Sequence, residues 1–230
     1  MSHRSHNCNK CKSSNRCDPC GSSSFYGPCC TPATGARGPT GPAGAAGASG
    51  FTGPTGAPAS SSTLIPFASG SPVDLVTASS GLATFGAMEA FGVSANGIAV
   101  GLGDIDTNTL ANYAPITPRA SVITDLAAYF SLTQGTDLGG TSATVHAQLY
   151  QSAGPTPDDV FSPIPGALID LPPFTGTPVA GDAVSGSVNG LSIPVVPLSR
   201  FLILFYATTA TPAIAATLTG NASAGLALSQ

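Results

Sequence analysis

The sequence predicts an all-β head, a jelly-roll-like antiparallel β-sandwich, carried on a short collagen triple helix that follows an irregular cysteine-rich arm. Three observations predict it. Glycine holds every third position without a break across residues 35–58. Beyond that stretch, short apolar runs recur between Gly, Pro, Asn and Asp punctuation, which is the pattern of strands and turns. All six cysteines lie ahead of the glycine repeat. The chain therefore divides into an arm (1–34), a stalk (35–58) and a head (59–230).

The arm carries Cys8, Cys11, Cys17, Cys20, Cys29 and Cys30. Two Cys-x-x-Cys pairs with His3 and His6 nearby raise the possibility of zinc, because paired thiolates at this spacing can fill two corners of a tetrahedron. The pairs are closer together than in a zinc ribbon, and the Asn/Ser/Lys-rich surroundings offer no core around a metal. Interchain disulfides are the expected use of these residues, with free thiols as a further alternative, and no metal or cofactor is expected. Cys29 and Cys30 are adjacent, and a bridge between them would close a strained ring, so they should bond to separate partners. Three parallel chains would bring six such sulfurs together. The start, MSHRSHNCNK, has no apolar run of the kind a secretory leader needs.

In the stalk, Gly35, Gly38, Gly41, Gly44, Gly47, Gly50, Gly53 and Gly56 keep strict phase. A flexible linker has no reason to do so. In a collagen triple helix every third residue faces an axis too crowded for a Cβ, and three chains are needed to make that axis. Pro39, Pro42, Pro54 and Pro58 pre-set the φ that such a helix uses. The repeat would form a rod about 70 Å long.

Charge changes at the same boundary. Residues 1–59 hold Arg4, Lys10, Lys12, Arg16 and Arg37 against Asp18, a balance of +4, whereas residues 60–230 hold Arg119 and Arg200 against ten acidic residues, a balance of -8, so that the whole chain carries -4. Five scattered cations without interleaved aromatics do not make a nucleic-acid surface. The apolar run at 201–207 is too short to span a bilayer, and no membrane association is expected.

Within the head, strands are expected at 82–93, 97–102, 121–132, 143–151, 167–171, 191–196, 200–208 and 218–228. Residues 143–150 alternate Ala, Val, Ala and Leu with Thr, His, Gln and Tyr, as a strand with one buried face does. Residues 201–206, Phe-Leu-Ile-Leu-Phe-Tyr, are apolar on both faces and should form a central strand or one covered by a trimer interface. Pro or Gly interrupts nearly every window long enough for a helix.

Catalytic chemistry is not expected. His146 is the head's one histidine and sits in an alternating strand, where a surface or interface role is expected. Asp104 and Asp106 could contribute to a calcium loop, but the glycine and terminal glutamate of an EF-hand are missing. Asp158 and Asp159 read as a solvated turn. No Gly-x-Ser-x-Gly, phosphate loop or paired catalytic acids occur.

Segments 64–70 (LIPFASG), 123–131 (ITDLAAYFS), 145–150 (VHAQLY), 161–166 (FSPIPG) and 219–225 (TGNASAG) are similar to the carboxy-terminal domain of the BclB-like collagenous exosporium glycoproteins of spore-forming Firmicutes. The likeness covers most of residues 64–228. It implies a trimeric β-head held out from the spore surface on a collagen-like stalk, with O-glycosylation on threonines of Gly-Pro-Thr triplets; Thr40 and Thr55 match. The stalk is shorter than many in that family, and the arm has no match to the usual exosporium leader. That favours disulfide-linked assembly into a fibre or onto a Cys-rich coat. The expectation is a structural homotrimer of the exosporium or a spore appendage, partnered by itself and by a Cys-rich spore coat or exosporium protein. The alternative is an adhesin or fibre tip whose head binds a glycan or host surface.

Overall fold

The computed structural model describes residues 35–47, 62–101, 103–108, 114–152 and 158–230. The six cysteines, Gly50, Gly53, Gly56 and Thr55 lie outside the described residues. The chain separates into two units, Met1–Pro54 and Thr55–Gln230. In the first, residues 35–47 are exposed throughout and take part in no helix or strand.

The second unit is all-β, and no helix occurs among the described residues. Its strands are β1 (Ser62–Ala68), β2 (Val73–Thr77), β3 (Ala83–Glu89), β4 (Ser94–Ala99), β5 (Ile105–Asp106), β6 (Ser121–Leu132), β7 (Ser142–Ser152), β8 (Val160–Asp170), β9 (Phe174–Thr175), β10 (Ala183–Val195), β11 (Arg200–Thr209) and β12 (Thr217–Ser229). Every pairing is antiparallel, and the strands join in the order β10-β6-β12-β2-β3-β11-β7-β8-β5, with β1 on β12, β4 on β3 and β9 on β7.

This long sheet folds over on itself as a sandwich. One layer is β1-β12-β6-β10 and the other β3-β11-β7-β8; β2 closes one side by pairing with both β12 and β3. At the other side β10 lies on β8, so close that a Cβ on Gly186 would press against Ile169 and Leu171. Period-2 patterning does the work locally. In β6, Leu126, Ala128, Phe130 and Leu132 are buried, while Ala127 and Tyr129 between them are exposed. The main core gathers such inward residues from both layers, among them Phe67, Leu75, Ile123, Phe130, Leu149, Phe201 and Phe205. Phe130 and Phe174 meet there edge to face at 6.4 Å.

Strand β11 is the central strand that its two-faced apolar sequence predicts. Phe201, Ile203, Phe205 and Ala207 enter the main core. Leu202 and Leu204 point the other way, into a second cluster with Met88, Ile98, Ile105, Tyr150 and Phe161. The head's own chain thus covers that face. At the start of β11, Arg200 bonds Asp159 at 3.0 Å and lies over the Phe161 ring, 5.2 Å from its centroid.

One residue departs from the pattern. Glu89, the chain's single glutamate, stands opposite Ile203 at the end of β3 and shares its buried face. It is fully buried, and neither carboxyl oxygen has a hydrogen-bond partner. Burial alone pushes its pKa from 4.5 to about 8. The unfolded chain releases this proton near pH 4.5 and the folded chain only near 8, so the folded state is favoured most below 4.5 and loses ground as pH rises between the two values. We expect stability to fall by roughly 3–5 kcal/mol from pH 5 to pH 8 through this group. Urea unfolding of wild type and Glu89→Gln at both pH values checks it: the pH-dependent loss should largely disappear in the variant, and an equal loss in both would assign it elsewhere.

Candidate functional site

The two layers present very different outer faces. That of β3-β11-β7-β8 is built over by β4, β5 and the second apolar cluster. Among the described residues, nothing is built over that of β1-β12-β6-β10. Register fixes what it displays, because residues paired across antiparallel strands share a face. One row reads Asn189, Asp125, Ala227, Leu64; the next Ser187, Ala127, Gly225, Pro66; the next Ser185, Tyr129, Ser223, Ala68. Two large side chains stand up from this small-residue floor: Leu64, 68% exposed, and Tyr129, 44% exposed. Asp125 is the one ionisable carboxylate in these rows. Between β10, β6 and β12 the floor dips into a shallow hollow lined by Ala127, Tyr129, Ser187 and Gly225.

A second feature lies where the cluster-covered layer reaches its rim. His146 on β7 pairs directly with Asp170 on β8 and with Tyr206 on β11. Its Nδ1 lies 2.7 Å from the Asp170 carboxylate and its Nε2 2.8 Å from Thr208 Oγ1. The imidazole stacks on the Tyr206 ring at 4.8 Å and 20°. Burial, then the Asp170 charge, then Tyr150 push the Tyr206 phenol up; burial, then Asp104, does the same for Tyr150. His146 is thus a partly buried member of a hydrogen-bonded row rather than a surface residue.

Asp106, offered by the sequence as part of a calcium loop, spends one oxygen on the backbone N–H and side-chain amide of Asn108, at 2.9 and 2.7 Å. No group of three metal-ligating side chains occurs among the described residues. Asp158 is tied to Ser152 and the Val160 N–H, so its turn is braced from within. Thr40 and Gly35, Gly38, Gly41, Gly44 and Gly47 sit in the exposed segment of the first unit. A Cβ placed on any of these five glycines would meet nothing within 4 Å.

Compared with known proteins, the chain is 32% identical over 178 residues to Collagen-like protein 1 of Acanthamoeba polyphaga mimivirus, a match covering 73% of this chain and 19% of that protein. Since residues 1–58 are far fewer than that share, most of the match falls in the head. No family model and no solved structure matches the chain. The similarity supports a collagen-like chain and does not extend to the exosporium glycoproteins in particular.

A charge placed in the bare face tests whether it is left open or covered by other copies. Tyr129→Asp removes an exposed ring and should leave the thermal unfolding of the head nearly unchanged; in sedimentation of the head alone, residues 62–230, a lower mass for the variant than for wild type would assign the face to contact between copies, and an unchanged mass would assign it to solvent.

Proposed function

We propose that this chain is a structural collagen-like protein that works as a homotrimer, joined along its stalk and through its heads and cross-linked covalently by its arm. One observation carries this reading: the glycine phase has no cause within a single chain. Five of the repeat's glycines have empty space where a Cβ would go, so nothing among the described residues forbids a side chain there. Three chains wound on a common axis do forbid it. The bare face of β1-β12-β6-β10, with Leu64 and Tyr129 exposed on small residues, supports contact between heads, and β1 begins at Ser62, close to the stalk in sequence.

The resemblance of residues 64–228 to exosporium glycoproteins supports a place on the spore surface, in the exosporium or an appendage. There Cys8, Cys11, Cys17 and Cys20 would link trimers to one another or to a Cys-rich coat, and Cys29 and Cys30 would close bridges within the trimer. Thr40 and Thr55 are the threonines of the stalk's two Gly-Pro-Thr triplets, the glycan acceptors of this reading.

Sedimentation of the full chain tests the stoichiometry and should give three copies. Replacing Gly47 by Val should lower the melting temperature of the stalk's circular dichroism signal and open it to proteases while the head's β signal persists; an unaffected stalk would make the repeat a linker. On non-reducing gels, Cys29→Ser with Cys30→Ser should abolish the covalent trimer. Ser at Cys8, Cys11, Cys17 and Cys20 should instead preserve the trimer and remove larger species; the reverse pattern would exchange the two roles.

A further inference from the structure

We propose that Thr208 is an activated nucleophile that accepts an acyl group from an activated ester or thioester, with His146 as its base and Asp170 as the residue that positions the imidazole. The three side chains lie on adjacent strands β8, β7 and β11, joined by contacts of 2.7 Å (Asp170 to Nδ1) and 2.8 Å (Nε2 to Thr208 Oγ1). A carboxylate can only accept, so Nδ1 of the neutral ring must carry its proton toward Asp170, leaving the Nε2 lone pair to accept from the Thr208 hydroxyl. A hydroxyl, a base and an orienting acid linked in that order form the arrangement that activates a weak nucleophile.

The row is also held rigidly. Direct cross-strand pairing fixes His146 beside both Asp170 and Tyr206, Thr208 follows two residues after Tyr206 on the same face, and the stacked phenol ring fixes the imidazole plane. It is reachable from solvent: the Asp170 side chain is 65% exposed and His146 14%, with Thr208 half-buried.

The step balances without any redox partner. Thr208 Oγ1 adds to the carbonyl carbon as its proton passes to His146 Nε2; the bond to the leaving oxygen or sulfur then breaks, and that atom takes the proton from Nε2. The products are an ester on Thr208 and a free phenol or thiol. Pairing with β7 takes up alternate backbone N–H groups of β11 along the row, which limits the donors left to stabilise an oxyanion. Only a good leaving group can therefore react. The threonine ester formed has a poor one, so it persists, and the outcome is a modification rather than turnover.

The test uses the full-length protein with its thiols first blocked by iodoacetamide, then exposed to p-nitrophenyl acetate. The expected result is one equivalent of p-nitrophenol released in a burst and a stable acetyl group mapped by peptide mass to Thr208. Thr208→Val should abolish both, while Thr208→Ser should retain them. His146→Gln should slow the burst by about 10²-fold or more. Asp170→Asn should slow it comparably, because an amide can donate to Nδ1 and turn Nε2 into a donor. Thermal melts confirm that each variant is folded. An acetyl group on the imidazole or on another residue, a wild-type burst in Thr208→Val, an unslowed His146→Gln, or loss of reaction in Thr208→Ser would each overturn the proposal.

Discussion

The head depends on one strand being buried from both sides. Because side chains alternate along β11, Phe201, Ile203, Phe205 and Ala207 serve one apolar cluster while Leu202 and Leu204 serve the other, and each of the Phe, Ile and Leu side chains carries the transfer free energy of a fully buried apolar group, about 1.5–3 kcal/mol. A polar residue at either parity would lose contacts in one of the two clusters. The strand also holds β3 and β7 on its flanks, so its position fixes the layer in which His146, Glu89 and Arg200 are placed. A one-residue slip would exchange the two apolar sets between faces of different depth and separate Thr208 from His146.

That arrangement explains why the two outer faces differ. The layer containing β11 meets its need for cover within the chain, through β4, β5 and residues such as Ile98 and Phe161. The opposite layer has no such addition among the described residues, and apart from Leu64 and Tyr129 its exposed floor is mostly Ser, Ala and Gly, which leave little apolar surface to shield but allow a neighbouring backbone to approach closely. A lone head can therefore stay folded while keeping a flat surface that other copies could use. Glu89 adds the opposite influence: a carboxyl group in an apolar setting, its proton retained to about pH 8, where the surrounding residues offer nothing to bond it.

Much of this was legible in the sequence wherever alternation was strict. Strand β6 matches its expected limits, and β7 and β11 differ only at their ends. The first half of β8 was hidden by Pro163, Pro165 and Gly166, which read as breakers; the strand takes them up in a register shift opposite Gln148 and Tyr150, with Gly166 at a φ of 81°. Residues 183–190 of β10 are mostly Ala, Ser and Gly, too weakly apolar to register, and Pro66 masked β1, which pairs with β12 alone. The strand expected at 82–93 stops at Glu89, because the chain turns at Gly92 with a φ of 75°, and the next strand begins at Ser94 rather than 97. Glu89 did leave a signal, a lone charge inside Gly-Ala-Met-Glu-Ala-Phe. The Asp170–His146–Thr208 row left none, since its members lie 24 and 62 residues apart and only strand pairing unites them.

The pairing of Ser62 with Ser229 and of Ala68 with Ser223 sets an order of events in time. The bare face takes its rows from β1, β12, β6 and β10, so it does not exist until β12, the last of these in the chain, has threaded between β1 and β6. Contacts spanning this much sequence form slowly. A half-made head lacks these rows, whatever it exposes elsewhere. In the homotrimer proposed for this chain, contact through this face would thereby have to wait until the last strand is in place.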